Sequence, residues 1–142
     1  MWASPYIIAI VLSWVVAQGS KYVITAIRHR TLRGFRQLYL SGNMPSAHSA
    51  TVIAVTTLIG LREGVDSALF GLSITFAAVV MYDAVMVRRS VGEQGVAVQQ
   101  LIKETKSQTT LPRAAKGHTP VEVVVGAVLG VAIGLVVYIA TN

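Results

Sequence analysis

Four apolar segments, separated by loops of very different charge, constrain how this chain of 142 residues can fold. The segments cover residues 4–27, 46–61, 67–87 and 120–140. A helix of about 20 residues, at about 1.5 Å per residue, crosses the hydrocarbon core of a bilayer. The composition agrees, because 54% of the residues are apolar and only 13% are charged. We therefore predict an all-α, polytopic membrane bundle of about four transmembrane helices, in a single domain of residues 1–142.

Two of the segments have polar or small residues that predict their surroundings. The second segment is short and rich in Ser and Thr, so we expect it inside the bundle, where hydroxyls can bond to backbone or to neighbouring helices. The fourth segment carries Gly126, Gly130 and Gly134, a doubled small-xxx-small pattern. Such a pattern permits close contact between helices.

The three loops differ in charge, which predicts the orientation of the chain. The first, residues 28–43, holds four arginines and no acid; the third, residues 88–118, holds six Lys and Arg against two Glu; the middle one, residues 62–66, is net acidic. Because Lys and Arg accumulate on the cytoplasmic side, we predict a multi-pass protein of the cell membrane with the first and third loops inside. Within the third loop, residues 95–108 suit a short amphipathic helix at the interface.

A histidine stands at the start of two of the predicted spans. His48 follows "SGNMPSA", where Asn43 or Ser46 can cap the helix, and His118 directly precedes a Thr-x-x-Glu capping box formed by residues 119 and 122. The free N–H groups and the positive dipole at a helix N-terminus bind phosphate. Both histidines therefore lie beside a potential anion site.

With this topology, further ionisable residues meet the two histidines at the inner face: Lys21, Arg28, Asp83, Arg88, Arg89 and Glu122. Ionisable groups at membrane depth are costly, and they are expected to face the bundle interior and one another. Two histidines with cations and carboxylates, in a chain without cysteine, are the parts of a phosphoryl-transfer site that uses histidine as nucleophile. Each feature also has a structural reading: the arginine-rich loop as an orientation signal, Glu122 as a cap, and Asp83 with Arg88 as an ion pair.

Three motifs carry a resemblance to a known superfamily. "MPSAH" resembles the Pro-Ser-Gly-His motif of the type 2 phosphatidic acid phosphatase and vanadium haloperoxidase superfamily, with Ala47 in the glycine position. Lys21, six residues and Arg28 are similar to its first motif, although a histidine replaces the final proline. His118 and Glu122 keep the His-x3-acid spacing of its third motif, whereas Arg113 is one residue too close to His118 and a proline precedes it instead of serine. The chain resembles the small, divergent bacterial branch of these phosphatases over nearly its whole length.

The resemblance implies a role for each of these residues. His118 would attack phosphorus and form a phosphohistidine, Glu122 would hold the other ring nitrogen, and His48 would serve as general acid and then as general base. The phosphate oxygens would be bound by Lys21, Ser46, the backbone at Ala47, and one or more of Arg28, Arg88, Arg89 and Arg113, with Asp83 in support. We expect no metal ion and no cofactor.

These observations predict a membrane lipid-phosphate phosphatase, and the sequence leaves open which lipid phosphate it hydrolyses. Phosphatidylglycerophosphate, phosphatidate and polyprenyl phosphate all suit an active site at the cytoplasmic face. The alternative is a non-catalytic membrane module that binds anionic lipid through its basic inner face; haloperoxidase chemistry with vanadate is a weaker third hypothesis. We expect membrane lipids but no nucleic acid as partners. Relatives with more spans complete their bundle within one chain, so four spans with a glycine-lined fourth helix also lead us to predict a homodimer.

Overall fold

The structure is a computed structural model that describes residues 4–29, 44–112, 114 and 117–142, and all its regular elements are helices. The helices are α1 Pro5–His29, α2 Ala47–Glu63, α3 Ala68–Tyr82, α4 Arg88–Glu104 and α5 Pro120–Thr141. A π-helical segment, Asp83–Val87, joins α3 to α4. The prediction of an all-α membrane bundle is confirmed.

Local signals in the sequence explain where three of these helices begin. The side chain of Ser46 accepts a hydrogen bond from Ser49 N at 3.4 Å, and that of Ser67 accepts one from Phe70 N at 3.2 Å. At the start of α5, Thr119 and Glu122 form the predicted capping box. Each bond satisfies a backbone N–H that the first turn of a helix leaves without an intrahelical partner.

Helix α2 is the centre of the bundle and packs against α1, α3 and α5. The glycines of α5 allow the closest approach: a Cβ atom at Gly130 would lie 2.5 Å from the carbonyl oxygen of Ala50, and one at Gly134 would lie 2.8 Å from that of Ala54. The interior location predicted for the second segment is confirmed. The glycine pattern that suggested a homodimer is thus occupied by α2 of the same chain, and the homodimer stays a prediction.

Helix α1 packs through a face that recurs every four residues. Ala9, Ser13 and Ala17 are fully buried, and Lys21 continues the same face with only 8% of its surface exposed. Positions four apart lie above one another on a helix, so small residues at the first three let α1 approach α2 closely. The same face therefore carries Lys21 into the bundle.

Although α2 has only 17 residues and α5 has 22, each end of α2 is hydrogen-bonded to α5. At one end Ser46 N donates to Glu122 O at 3.1 Å, and at the other Arg62 Nη2 donates to Thr141 O at 2.8 Å. Helices α2 and α5 therefore lie side by side and run in the same direction. Within the described part of the chain, the helices long and apolar enough to cross a membrane by themselves are Pro5–Ile24, Ala68–Glu104 and Pro120–Thr141.

The third apolar segment differs from the prediction at its C-terminal end. The sequence predicted a span ending at residue 87 and a separate interfacial helix within residues 95–108. In the structure, one helical rod of 37 residues runs from Ala68 through the π-helical segment to Glu104. At about 1.5 Å per residue the rod is roughly 55 Å long, which exceeds the ~30 Å hydrocarbon core. The start of the charged sequence marks the end of the apolar segment but not of the helix, because Arg, Gln and Glu are good helix formers.

Candidate active site

The N-terminal end of α5 places a buried histidine against a carboxylate. His118 is 5% exposed, and its Nδ1 lies 3.1 Å from Oε2 of Glu122. The same oxygen accepts a hydrogen bond from Thr119 N at 3.0 Å, while Thr119 Oγ1 accepts one from Glu122 N at 3.3 Å. Glu122 therefore forms the capping box and contacts the histidine at the same time. An ionised carboxylate can only accept a hydrogen bond, so Nδ1 is the donor and carries the proton. Nε2 of the neutral ring therefore keeps its lone pair.

Two contacts hold Gly117 and His118, just before α5, against the π-helical segment and the start of α4. His118 N donates to the carbonyl oxygen of Ala84, within the π-helical segment, at 3.0 Å. A Cβ atom at Gly117 would lie 2.5 Å from the backbone nitrogen of Arg89, so only glycine fits this contact without movement. The π-helical segment thus provides a carbonyl that fixes the backbone of His118, and such segments are frequent at functional sites.

Burial and nearby charges favour the neutral form of His118. Burial lowers the pKa of His118 below its ordinary value of 6.5, and the positive charges of Lys21 and Arg88 act in the same direction. The hydrogen bond to Glu122 opposes them, because a carboxylate stabilises the imidazolium. A neutral imidazole with a lone pair on Nε2 has the protonation state that a nucleophile requires.

The second histidine, His48, lies in the first turn of α2 and is exposed. Its helix is tied to α5 by the hydrogen bond from Ser46 N to Glu122 O. Glu122 thus binds the start of α2 through its carbonyl and His118 through its carboxylate. The charges of Arg88, His118, Lys21 and Asp83 all act on His48, so the structure brings these predicted site residues together.

The predicted arginines separate in the structure. Arg88 Nε lies 2.6 Å from Oδ2 of Asp83, and its charge acts on both histidines. Arg89 Nε instead donates to Glu93 Oε1 at 3.1 Å and lines a groove of about 670 Å³ between α4 and the loop that precedes α5. The side chain of Arg28 and the whole of Arg113 lie outside the described residues. Among the described arginines, Arg88 is therefore the one whose charge acts on the two histidines.

Ser46 and Ala47 are both buried at the N-terminus of α2. The Ser46 hydroxyl accepts hydrogen bonds from Ser49 N and from Ser49 Oγ, the latter at 3.0 Å. The contacts seen for this hydroxyl are therefore those of a helix cap, and its contact with phosphate stays a prediction. Within the described part of the chain, no three His, Asp or Glu side chains are grouped as metal ligands.

The sequence contains a signal for the buried position of Lys21 that hydropathy alone does not show. Ala9, Ser13, Ala17 and Lys21 recur at intervals of four residues, which on a helix makes one narrow face of small side chains that ends in a lysine. Such a face indicates close helix packing and hence a buried lysine. By contrast, no sequence signal identified the contact of Gly117 with Arg89, because it joins residues that are distant in the chain.

Comparison with known proteins identifies the family. The model of the "Divergent PAP2 family" matches residues 2–133. The chain belongs to this family. It is also 37% identical over 111 residues to the membrane protein YuiD of Bacillus subtilis (strain 168), a protein named as uncharacterized. That match covers 68% of this chain and 70% of YuiD. No solved structure matches the chain. The resemblance inferred from the three motifs is confirmed, and this member of the family is a membrane protein.

Proposed function

We propose that this protein is a membrane lipid-phosphate phosphatase that hydrolyses phosphomonoesters through a phosphohistidine at His118. The contact between His118 Nδ1 and Glu122 Oε2 carries the proposal, because it leaves the Nε2 lone pair for attack on phosphorus. Membership of the divergent PAP2 family supports phosphatase chemistry. Burial of His118 next to Lys21 and Arg88 supports a nucleophile that is neutral and faces an anionic substrate.

In the first step, Nε2 of His118 forms a bond to phosphorus while the bond from phosphorus to the lipid alkoxide breaks. His48 gives its proton to the departing oxygen, so the lipid alcohol leaves as a neutral molecule. The carboxylate of Glu122 stabilises the positive charge that develops on the imidazole. The contact between them already exists in the free protein, so little reorganisation is needed.

In the second step, a water molecule attacks the phosphohistidine. The neutral His48 takes a proton from this water, the P–N bond breaks, and inorganic phosphate leaves. His118 regains its lone pair, and His48 regains the proton that it donated in the first step. The two histidines therefore return to their starting states after each turnover.

Phosphate binding is assigned to the positive groups around the histidines. Lys21 and Arg88 act electrostatically on both imidazoles, and Asp83 holds Arg88 at 2.6 Å, which orients the guanidinium. The N–H groups of the first turn of α2, near Ala47, add dipoles directed at an anion. Fixed cations and dipoles of this kind stabilise the charge on a phosphoryl group during transfer.

Chemistry and charge support a class of substrate and a side of the membrane. The site lies at the ends of helices that adjoin the two basic loops, which supports a cytoplasmic face of the cell membrane. A phosphomonoester on a lipid of the inner leaflet suits that location, and phosphatidylglycerophosphate, phosphatidate and polyprenyl phosphate are the candidates. We expect the phosphorylated headgroup to reach the histidines from the interface while the apolar part stays in the bilayer.

Phosphate release from a panel of purified lipid phosphates tests this function. The wild-type protein in mild detergent should release phosphate from at least one of them, and His118→Ala should release none. His48→Ala should still become phosphorylated by a substrate with a good leaving group, and its turnover should fall on the order of 10²-fold or more. A wild-type protein that binds anionic vesicles but hydrolyses no lipid phosphate, with binding unchanged in His118→Ala, would instead support the non-catalytic lipid-binding module. Halide oxidation by added hydrogen peroxide in the presence of vanadate would support the haloperoxidase alternative.

A further inference from the structure

Gly126, in the second turn of α5, lies directly against the backbone at the start of α2. A Cβ atom at this position would stand 2.5 Å from the carbonyl oxygen of Ser46 and 3.1 Å from the nitrogen of the same residue. A separation under 3.0 Å forces one of the two backbones to move. The close approach of the two helices at Ser46 therefore depends on glycine at position 126.

The same contact contains the hydrogen bond that joins the two histidine-bearing helix ends. Ser46 N donates to Glu122 O at 3.1 Å, one turn of α5 before Gly126. His48 follows Ser46 by two residues, and the carboxylate of Glu122 contacts His118. The distance between α2 and α5 at this point therefore sets the position of His48 relative to His118.

We propose that Gly126 is a positioning residue for catalysis, which sets the separation of the two histidines. This inference rests on the proposed phosphatase function, in which the leaving oxygen must lie in line between the nucleophile and the general acid. To bring a Cβ atom at position 126 from 2.5 Å to ordinary contact at 3.4 Å, α2 would have to move by about 0.9 Å at Ser46. A misplacement of about 1 Å can cost a reaction about 10²-fold in rate.

Gly130 offers a matched control in the same helix interface. A Cβ atom there would also lie 2.5 Å from a backbone carbonyl oxygen, that of Ala50. The position is four residues, or about 6 Å, farther along α5 from the histidines. Gly126→Ala and Gly130→Ala therefore introduce similar clashes between α2 and α5, but only the first does so where the histidines are positioned.

The experiment compares both variants with the wild-type protein in mild detergent. We expect both to unfold at lower temperature, and only Gly126→Ala to lose about 10²-fold in steady-state phosphate release from the best lipid phosphate. On p-nitrophenyl phosphate at stoichiometric enzyme, the first turnover of Gly126→Ala should stay within about tenfold of wild type. Nitrophenolate leaves without a proton, so a misplaced His48 matters less for that step.

The controls separate positioning from general destabilisation and from failure of the proposed function. Two outcomes would overturn the inference and leave the proposed function standing. One is an equal loss of steady-state rate in Gly126→Ala and Gly130→Ala. The other is a Gly126→Ala variant whose first-turnover rate falls as much as its steady-state rate. A wild-type protein inactive on every substrate would overturn both the inference and the function.

If Gly126→Ala does not fold, Ser49→Thr adds one methyl group to the α2 side of the same contact and keeps the hydroxyl that bonds to Ser46. It should show the same pattern with a smaller loss, and normal turnover in this variant would contradict the proposal.

Discussion

Replacement of Glu122 by Gln separates the catalytic role of this side chain from its structural role. In the structure one oxygen, Oε2, accepts from Thr119 N at 3.0 Å and contacts His118 Nδ1 at 3.1 Å. A glutamine whose amide oxygen takes this position can keep both hydrogen bonds, so the capping box and the imidazole tautomer are preserved. The substitution then removes the negative charge and little else.

The expected loss follows from that geometry. An amide that presented its NH₂ group to the imidazole would impose the wrong tautomer, which in serine proteases costs about 10⁴-fold in kcat. Here Thr119 N–H directs the oxygen toward the shared position, so we expect the smaller loss that comes from charge alone. We estimate about 10²-fold in kcat, equivalent to about 2.7 kcal/mol of activation free energy.

The assay pairs steady-state phosphate release with thermal unfolding, and Thr119→Ala is the control. That variant loses the side-chain cap that accepts from Glu122 N at 3.3 Å, yet keeps the carboxylate and its contact with His118. Loss of such a cap costs about 1 kcal/mol of stability. Glu122→Gln should therefore turn over slowly with normal stability, and Thr119→Ala should melt earlier and turn over normally. A Glu122→Gln variant that melts earlier yet retains its activity would refute the reasoning and leave Glu122 with capping alone.

Three further predictions concern phosphate binding, pH and orientation. Arg88→Ala should lower kcat/KM by about 10²-fold, because it removes a cation whose charge acts on both histidines. The Arg89 side chain pairs with Glu93 instead, so Arg89→Ala should change kcat/KM by less than about threefold. Equal losses in the two variants would contradict the assignment of Arg88. In the free enzyme, the first step requires a neutral His118 and a protonated His48, so kcat/KM should follow a bell-shaped pH profile. Burial lowers the pKa of His118, so the acidic limb, on which kcat/KM rises with pH, should have its midpoint below 6.5, and a higher midpoint on that limb would contradict a neutral buried nucleophile. In this cysteine-free chain, Val65→Cys, at a site 71% exposed, should react with an impermeant maleimide on intact cells and Gln108→Cys should not; the reverse pattern would place the active site at the outer face.

The sequence by itself determined the features that depend on neighbours along the chain. Hydropathy identified the apolar segments, because a helix that crosses a bilayer must be apolar over its length. The Thr119–Glu122 capping box follows from a spacing of three residues at a helix N-terminus, and the carboxylate that turns back to this cap also meets His118, one residue before it. The family resemblance was recognised from motifs of the same local kind, and it is confirmed.

The tertiary structure decided everything that depends on which helix packs against which. It placed α2 against the glycines of α5, within one chain, and it brought Arg88 rather than Arg89 to the histidines. The continuation of α3 into α4 was missed because a change in polarity does not end a helix, whereas the loss of its backbone hydrogen bonds does. The backbone hydrogen bond from Ser46 N to Glu122 O joins the two helix ends beside which the histidines lie. A contact between residues 76 positions apart leaves no local pattern, because only the packing of whole helices brings its two ends together.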